Sequence, residues 1–180
     1  SQLKKISKFL KEKETLFPQE CYFIGLMIST GCRPSEIYLR KWNDLDWNTK
    51  QLKHVDTKTG QRSIDLSDTA IDLFKRLKPH THDHSHYCFP SRYNMDKPRK
   101  NFRNFWYELR DTCGLQKTDQ MRDLRHHFAS ITLAESKDIA TVSALLGHST
   151  VTTTSKHYAH VLTETKQKVL RDNADNFKLL

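Results

Sequence analysis

Four side chains in this sequence could together break a phosphodiester without a metal. Arg33 stands in Thr-Gly-Cys-Arg-Pro-Ser-Glu, and Arg125 in Asp-Leu-Arg-His-His-Phe-Ala-Ser. His148 follows Gly147 in Leu-Leu-Gly-His-Ser, and Tyr158 closes Lys-His-Tyr. During displacement the non-bridging oxygens of a phosphodiester gather negative charge. A guanidinium answers with a planar fork of two parallel hydrogen bonds and keeps its proton. Two such forks can grip the phosphate and stabilise its pentacoordinate state. An imidazole placed after a helix stop can donate to a phosphate oxygen. A phenol helped by a base or a cationic neighbourhood can attack phosphorus. The product would be a phosphotyrosine bond, which stores the energy of the cut strand, so resealing needs no ATP.

Each residue alone has an ordinary alternative. Arg33 can simply pair with Glu36, three residues on. His148 can serve as a partner for the end of a helix. A tyrosine is most often a packed aromatic with a satisfied hydroxyl. That suits Tyr22, Tyr38, Tyr87, Tyr93 and Tyr107 better than Tyr158, whose sequence neighbours are polar and basic. Lys58 can be a solvated turn lysine. From a hairpin tip it can also protonate a leaving 5′ oxygen as a general acid.

The elements that must position these groups can be read from periodicity and punctuation. Residues 2 to 14 place Leu3, Ile6, Phe9 and Leu10 on one helical stripe. Pro18 opens a second helix that Gly31 stops, and Pro34 opens a third. Residues 51–55 and 62–66 alternate like strands, with Lys58-Thr-Gly-Gln61 as the hairpin tip between them. Ser67 or Asp68 caps a helix that ends before Pro79. Tyr87 to Phe89 reads as a short strand. A helix from about Pro98 to Cys113 carries Phe102, Phe105, Trp106 and Leu109 and ends at Gly114. Further helices are expected from Arg122 to Glu135, from Asp138 to Leu146 and towards Tyr158, and one more can form in the tail from Thr163. The fold class expected is mainly α with a small antiparallel β-sheet, in one domain with one core.

Bulk composition narrows the setting. The chain has 180 residues, 36% hydrophobic and 28% charged, with a net charge of +9. The positive balance favours a polyanionic partner without naming it. The longest apolar stretch, residues 22–28, is far short of a membrane span. No signal peptide is visible, and a cytoplasmic, DNA-associated location is expected. Cys21, Cys32, Cys88 and Cys113 form no Cys-x-x-Cys pair and suit free thiols in a reducing compartment.

Five segments, in order, resemble the catalytic domain of the tyrosine recombinases, also called phage-type integrases. They are Thr-Gly-Cys-Arg-Pro-Ser-Glu-Ile-Tyr-Leu-Arg-Lys-Trp-Asn-Asp-Leu, Thr-Lys-Thr-Gly-Gln-Arg-Ser-Ile-Asp-Leu, Asp-Leu-Arg-His-His-Phe-Ala-Ser, Leu-Leu-Gly-His-Ser and Lys-His-Tyr-Ala-His. The resemblance implies that Arg33 and Arg125 are the catalytic arginines, Lys58 the hairpin acid, His148 the phosphate-bonding histidine and Tyr158 the nucleophile. Glu36 would buttress Arg33. It also implies double-stranded DNA as partner, a tetramer on DNA and no cofactor. The alternative is a non-catalytic DNA-binding module on the same scaffold. The family's N-terminal DNA-clamping domain is not among these residues, as expected of a fragment. The tail 163–180, with Leu170, Phe177, Leu179 and Leu180 as apolar anchors, resembles the segment that packs onto a neighbouring subunit.

One position departs from the family. It usually carries histidine three residues before the second arginine, where this chain has Arg122. Arg122 and Arg125 are then expected on one helix face, with Arg122 contacting phosphate. Arg122 keeps its proton near neutral pH and cannot serve as a base. Either water or another group takes the Tyr158 proton, or the reaction is slow. On a helix wheel His126 lies nearer to Arg122 than His127 does, roughly 40° against 140°, and is the better stand-in.

Two further signals complete the reading. Arg40, Lys41, Lys97, Arg99 and Lys100 are candidate contacts to the DNA backbone. His80, His82, His84 and His86 alternate, with Cys88 two residues on, in a pattern that could hold zinc or nickel. Compact metal sites draw ligands from more than one segment, and this tract has turn-like composition. It is read as an exposed loop, with no metal assigned.

Overall fold

The helix ends that matter to the site follow from a few residues. In this computed structural model, which describes residues 2–57, 60–81, 84–148, 150–159, 161 and 163, Pro18 occupies the first turn of α2 (Pro18–Thr30). Here α1 is Gln2–Lys13 and buries Ile6 and Phe9. Gly31 ends α2 at φ 64°, with its N–H returned to the Met27 carbonyl. That left-handed conformation costs little only where no Cβ is present. Pro34 then starts the short α3 (Pro34–Tyr38). The backbone N–H of Arg33 donates to the Glu36 carboxylate at 2.7 Å, so the acid closes the first turn of its own helix.

Three antiparallel strands follow in the order β1-β2-β3, namely Leu45–Asp46, Gln51–Thr57 and Gly60–Asp65. Leu45 faces Leu52, and Leu52 faces Ile64, so one buried apolar row runs across the sheet. The two-residue β1 is not expected from the sequence. The hairpin is, although its tip at residues 58–59 lies outside the described residues. α4 (Asp68–Leu77) is capped by Ser67, whose hydroxyl accepts from the Ala70 N–H at 3.2 Å.

Two expectations need correction. The strand at 87–89 reduces to one bridge, Tyr87 with Lys41. Pro90 has no N–H with which to extend it. The next helix, α5 (Arg103–Cys113), starts later than Pro98. Residues 97–99 are engaged elsewhere: the Ser91 N–H donates to the Lys97 carbonyl and the Arg99 N–H to the Phe89 carbonyl. The Asn101 side chain then accepts from the Arg103 N–H in a turn that leads into the helix, whose N-cap position is Phe102.

The chain forms two compact units, residues 1–125 and 126–180, and the boundary falls within α6 (Asp123–Ser136). In the first, Phe23 stacks on Phe102 at 3.9 Å between centroids, and Phe89 meets both rings edge-on. All four cysteines are free and buried, as the sequence suggests. The second unit has its own cluster of Ala129, Leu133, Val142, Leu146, Tyr158 and Val161. It contains α7 (Ile139–Leu146), which Asp138 caps and Gly147 stops at φ 66°. Residues 151–159 are helical. No helix among the described residues is long and apolar enough to cross a membrane.

Candidate active site

Glu36 organises a cluster of arginines in the first unit. Its side chain is 4% exposed, a costly place for a carboxylate unless cations attend it. Arg33 Nη1 donates to it at 2.9 Å. Arg62 Nη2 lies 3.4 Å away, and Arg125 Nη1 3.7 Å away. Arg125 Nη1 also donates to the Gly31 carbonyl at 2.8 Å. Arginines far apart in sequence thus meet on one carboxylate. Among the described residues, three guanidiniums attend this one carboxylate. Burial pushes the Arg125 guanidinium down to about 10, Arg33 and Arg62 add to the shift, and Glu36 opposes it. A bound anion would relieve that repulsion. The Arg33 side chain is 48% exposed and that of Arg125 10%, so Arg33 is the accessible arm and Arg125 the fixed one.

Arg62 is a member of this cluster that the sequence motifs do not single out. A signal was available. On a strand, alternate residues share a face, and Arg62 shares its face with buried Ile64. An inward-facing arginine implies a buried carboxylate. Arg122 differs from expectation. It precedes α6 in a turn, is exposed, and its carbonyl accepts the Arg125 N–H at 3.1 Å. The two residues do not share a helix face, because the helix begins between them.

In the second unit, Gly147 turns the chain out of α7 and the His148 N–H returns to the Ser143 carbonyl. His148 Nδ1 lies 2.7 Å from the hydroxyl of Thr154, which is fully buried. That bond fixes the ring's orientation. Tyr158 is 3% exposed, and its hydroxyl lies 2.9 Å from His126 Nδ1. The ring of His157 meets the phenol ring at 6.4 Å between centroids. Tyr158 therefore combines a packed ring with an engaged hydroxyl. Its polar neighbours in sequence conceal this; Thr154, Tyr158 and Val161 follow helical spacing and are all buried.

The candidates for backbone contact divide. Arg40 is 4% exposed. Its guanidinium pairs with Asp44 at 3.5 Å and donates to the Lys53 carbonyl at 3.5 Å. Arg99 bonds buried Glu20 at 2.6 Å and lies over the Phe102 ring. Both are internal struts, a correction explained by the acids that neutralise them. Lys41 and Lys100 are exposed, and so is Lys97. Lys100 also lines an open groove of about 870 Å³ with Tyr38, Arg103, Tyr107, Arg110 and Lys117.

Other expectations fall partly or wholly outside the described residues. Lys58, His82 and the tail residues 164–180 do so. His80, His84 and His86 are exposed while Cys88 is fully buried, so the thiol does not share their face.

Similarity to known proteins extends over most of the chain. The profile of the Phage integrase family matches residues 1–165. The tyrosine recombinase XerC of Chlamydia muridarum is 27% identical over 164 residues, 88% of this chain and 51% of that protein. XerC of Staphylococcus saprophyticus is 30% identical over 154 residues, covering 81% of this chain and 50% of that protein. Among solved structures, the Tn1549 transposon integrase in complex with transposon right end DNA superimposes with a TM-score of 0.72 at 18% identity. That match covers 93% of this chain and 64% of that one. The chain spans about half the length of the two XerC relatives.

Proposed function

The chain belongs to the phage integrase family, and on that premise we propose that it is the catalytic part of a site-specific recombinase that cuts and rejoins double-stranded DNA. Arg33 and Arg125 grip the scissile phosphate, with Arg122 and His148 as further donors. The Tyr158 hydroxyl attacks phosphorus, forming a 3′-phosphotyrosyl bond and releasing the 5′ oxygen, which Lys58 protonates. The 5′-hydroxyl of a second strand then reverses the chemistry. Neither metal nor ATP takes part in these steps.

The observation that carries the reading is the cluster on Glu36. Three guanidiniums gathered on one buried acid, with the half-exposed Arg33 among them, support binding of a phosphate that gains charge as it reacts. The same reading makes the Lys100–Arg103–Lys117 groove a seat for DNA backbone and the segment after Tyr158 a tether to neighbouring copies in a tetramer.

A pool of nicked DNA duplexes of random core sequence tests the activity whatever the target sequence. The expected result is a detergent-resistant protein–DNA adduct that is absent from Tyr158→Phe. Tight, salt-sensitive binding with no adduct would instead identify a DNA-binding module without catalysis.

A further inference from the structure

This inference rests on the recombinase reading and concerns the proton of the Tyr158 hydroxyl. A phenol attacks phosphorus effectively only as its proton leaves. Arg122 stands where the family has histidine, and a guanidinium does not accept a proton near neutral pH. His148 Nδ1 is committed to Thr154. Lys58, if it protonates the 5′ oxygen, must begin the reaction charged. His126 Nδ1, in contrast, lies 2.9 Å from the Tyr158 oxygen. That is inside the roughly 2.6–3.2 Å window in which a base can take a proton directly. Both residues belong to the second unit. His126 is also exposed, so water can discharge and recharge its ring.

We propose that His126 is the general base for Tyr158, a task moved from the position of Arg122 to the residue after Arg125. In cleavage the Tyr158 O–H bond breaks and its proton passes to Nδ1, giving an imidazolium. The phenol oxygen forms the bond to phosphorus, and the bond from phosphorus to the 5′ oxygen breaks. In rejoining, the incoming 5′-hydroxyl attacks phosphorus and gives up its proton to the now neutral Lys58. The departing tyrosinate recovers its own proton from His126. The cycle returns every proton and needs no co-reactant. It requires one tautomer of resting His126: Nδ1 bare and Nε2 protonated, with the phenol as donor. The opposite tautomer would donate to the phenol oxygen and could not act as base.

Two measurements on the chain test this. The first reads the His126 tautomer by nitrogen-15 NMR, with Tyr158→Phe as reference. A bare Nδ1 at neutral pH is expected, and a protonated Nδ1 overturns the proposal. The second follows adduct formation on duplexes recovered from the random pool. His126→Asn offers a carbonyl near the place of Nδ1 but cannot hold a proton. It should bind DNA normally and react about 100-fold more slowly or worse. His126→Ala should be rescued by added imidazole, which a purely structural role would not allow. Unchanged rates in His126→Asn overturn the role of His126 while leaving the recombinase reading intact. No adduct from any version, the unaltered chain included, overturns both.

Discussion

Arg125 donates 2.8 Å to the carbonyl of Gly31, the left-handed residue that ends α2. The peptide that ends the helix thereby also anchors the guanidinium. Gly31→Ala places a Cβ on a backbone at φ 64°. It should lower stability by about 1 kcal/mol or more. It should also slow adduct formation, because strain at residue 31 shifts the carbonyl that holds Arg125. Denaturant unfolding and the adduct assay would read the two effects separately.

Glu36→Gln removes an anion that three guanidiniums share. Breaking a buried pair from one side costs about 3–5 kcal/mol. Sulfate should restore part of this loss by occupying the cationic cluster. Urea unfolding with and without sulfate tests it; equal losses in the two buffers would count against an anion site.

Alkaline stability follows from buried acids, Cys88 and Cys113 among them, whose thiols burial also pushes up. Burial pushes the Cys21 thiol and, with the Glu14 bond, the Tyr22 phenol up to about 12, and burial pushes Cys32 up to about 11. Groups with raised pKa values support the fold fully below their unfolded values, near 9 for the thiols and 10 for the phenol. That support is lost as pH rises through the folded values. Arg125, lowered from 12.5 to about 10, acts with the opposite sign and offsets part of the loss at the top of the range. Stability should therefore begin to fall near pH 9. Cys32→Ser or Tyr22→Phe should flatten the decline.

Salt dependence should separate groove residues from struts. Lys100→Ala, Arg103→Ala and Lys117→Ala should each reduce the slope of log affinity for duplex DNA against log salt by about 0.9. Arg40→Ala and Arg99→Ala should lower stability and leave the slope unchanged, because their partners Asp44 and Glu20 lie within the fold.

Thr154→Val deletes the hydroxyl that orients His148. The expected stability cost is about 1 kcal/mol. Cleavage should fall while DNA affinity stays, since the ring is still present but no longer aimed.

Much of this is legible from local chemistry. Pro18, Gly31, Ser67, Asp138 and Gly147 act at helix ends where sequence punctuation puts them. The pairing of Arg33 with Glu36 is legible from its three-residue spacing. What sequence conceals is tertiary. Arg40 and Arg99 look like surface cations until Asp44 and Glu20 are seen to neutralise them. The start of α5 is hidden because residues 97–99 bond to residues 89–91, a pairing no local propensity reveals. Tyr158 looks solvated from the composition around it, whereas the spacing it shares with Thr154 and Val161 buries it.

That burial has a consequence for the resting protein. A phenol ring sunk among Leu133, Val142 and Leu146 is sheathed. On the function proposed above, random strands that brush the chain meet a covered nucleophile. If His126 takes the phenol proton across the bond seen here, the ring must stay packed, and the scissile phosphate must be brought to the oxygen rather than the oxygen to the phosphate. Selection of the strand then begins before any phosphorus is touched, in how far the backbone must be pressed towards a covered oxygen.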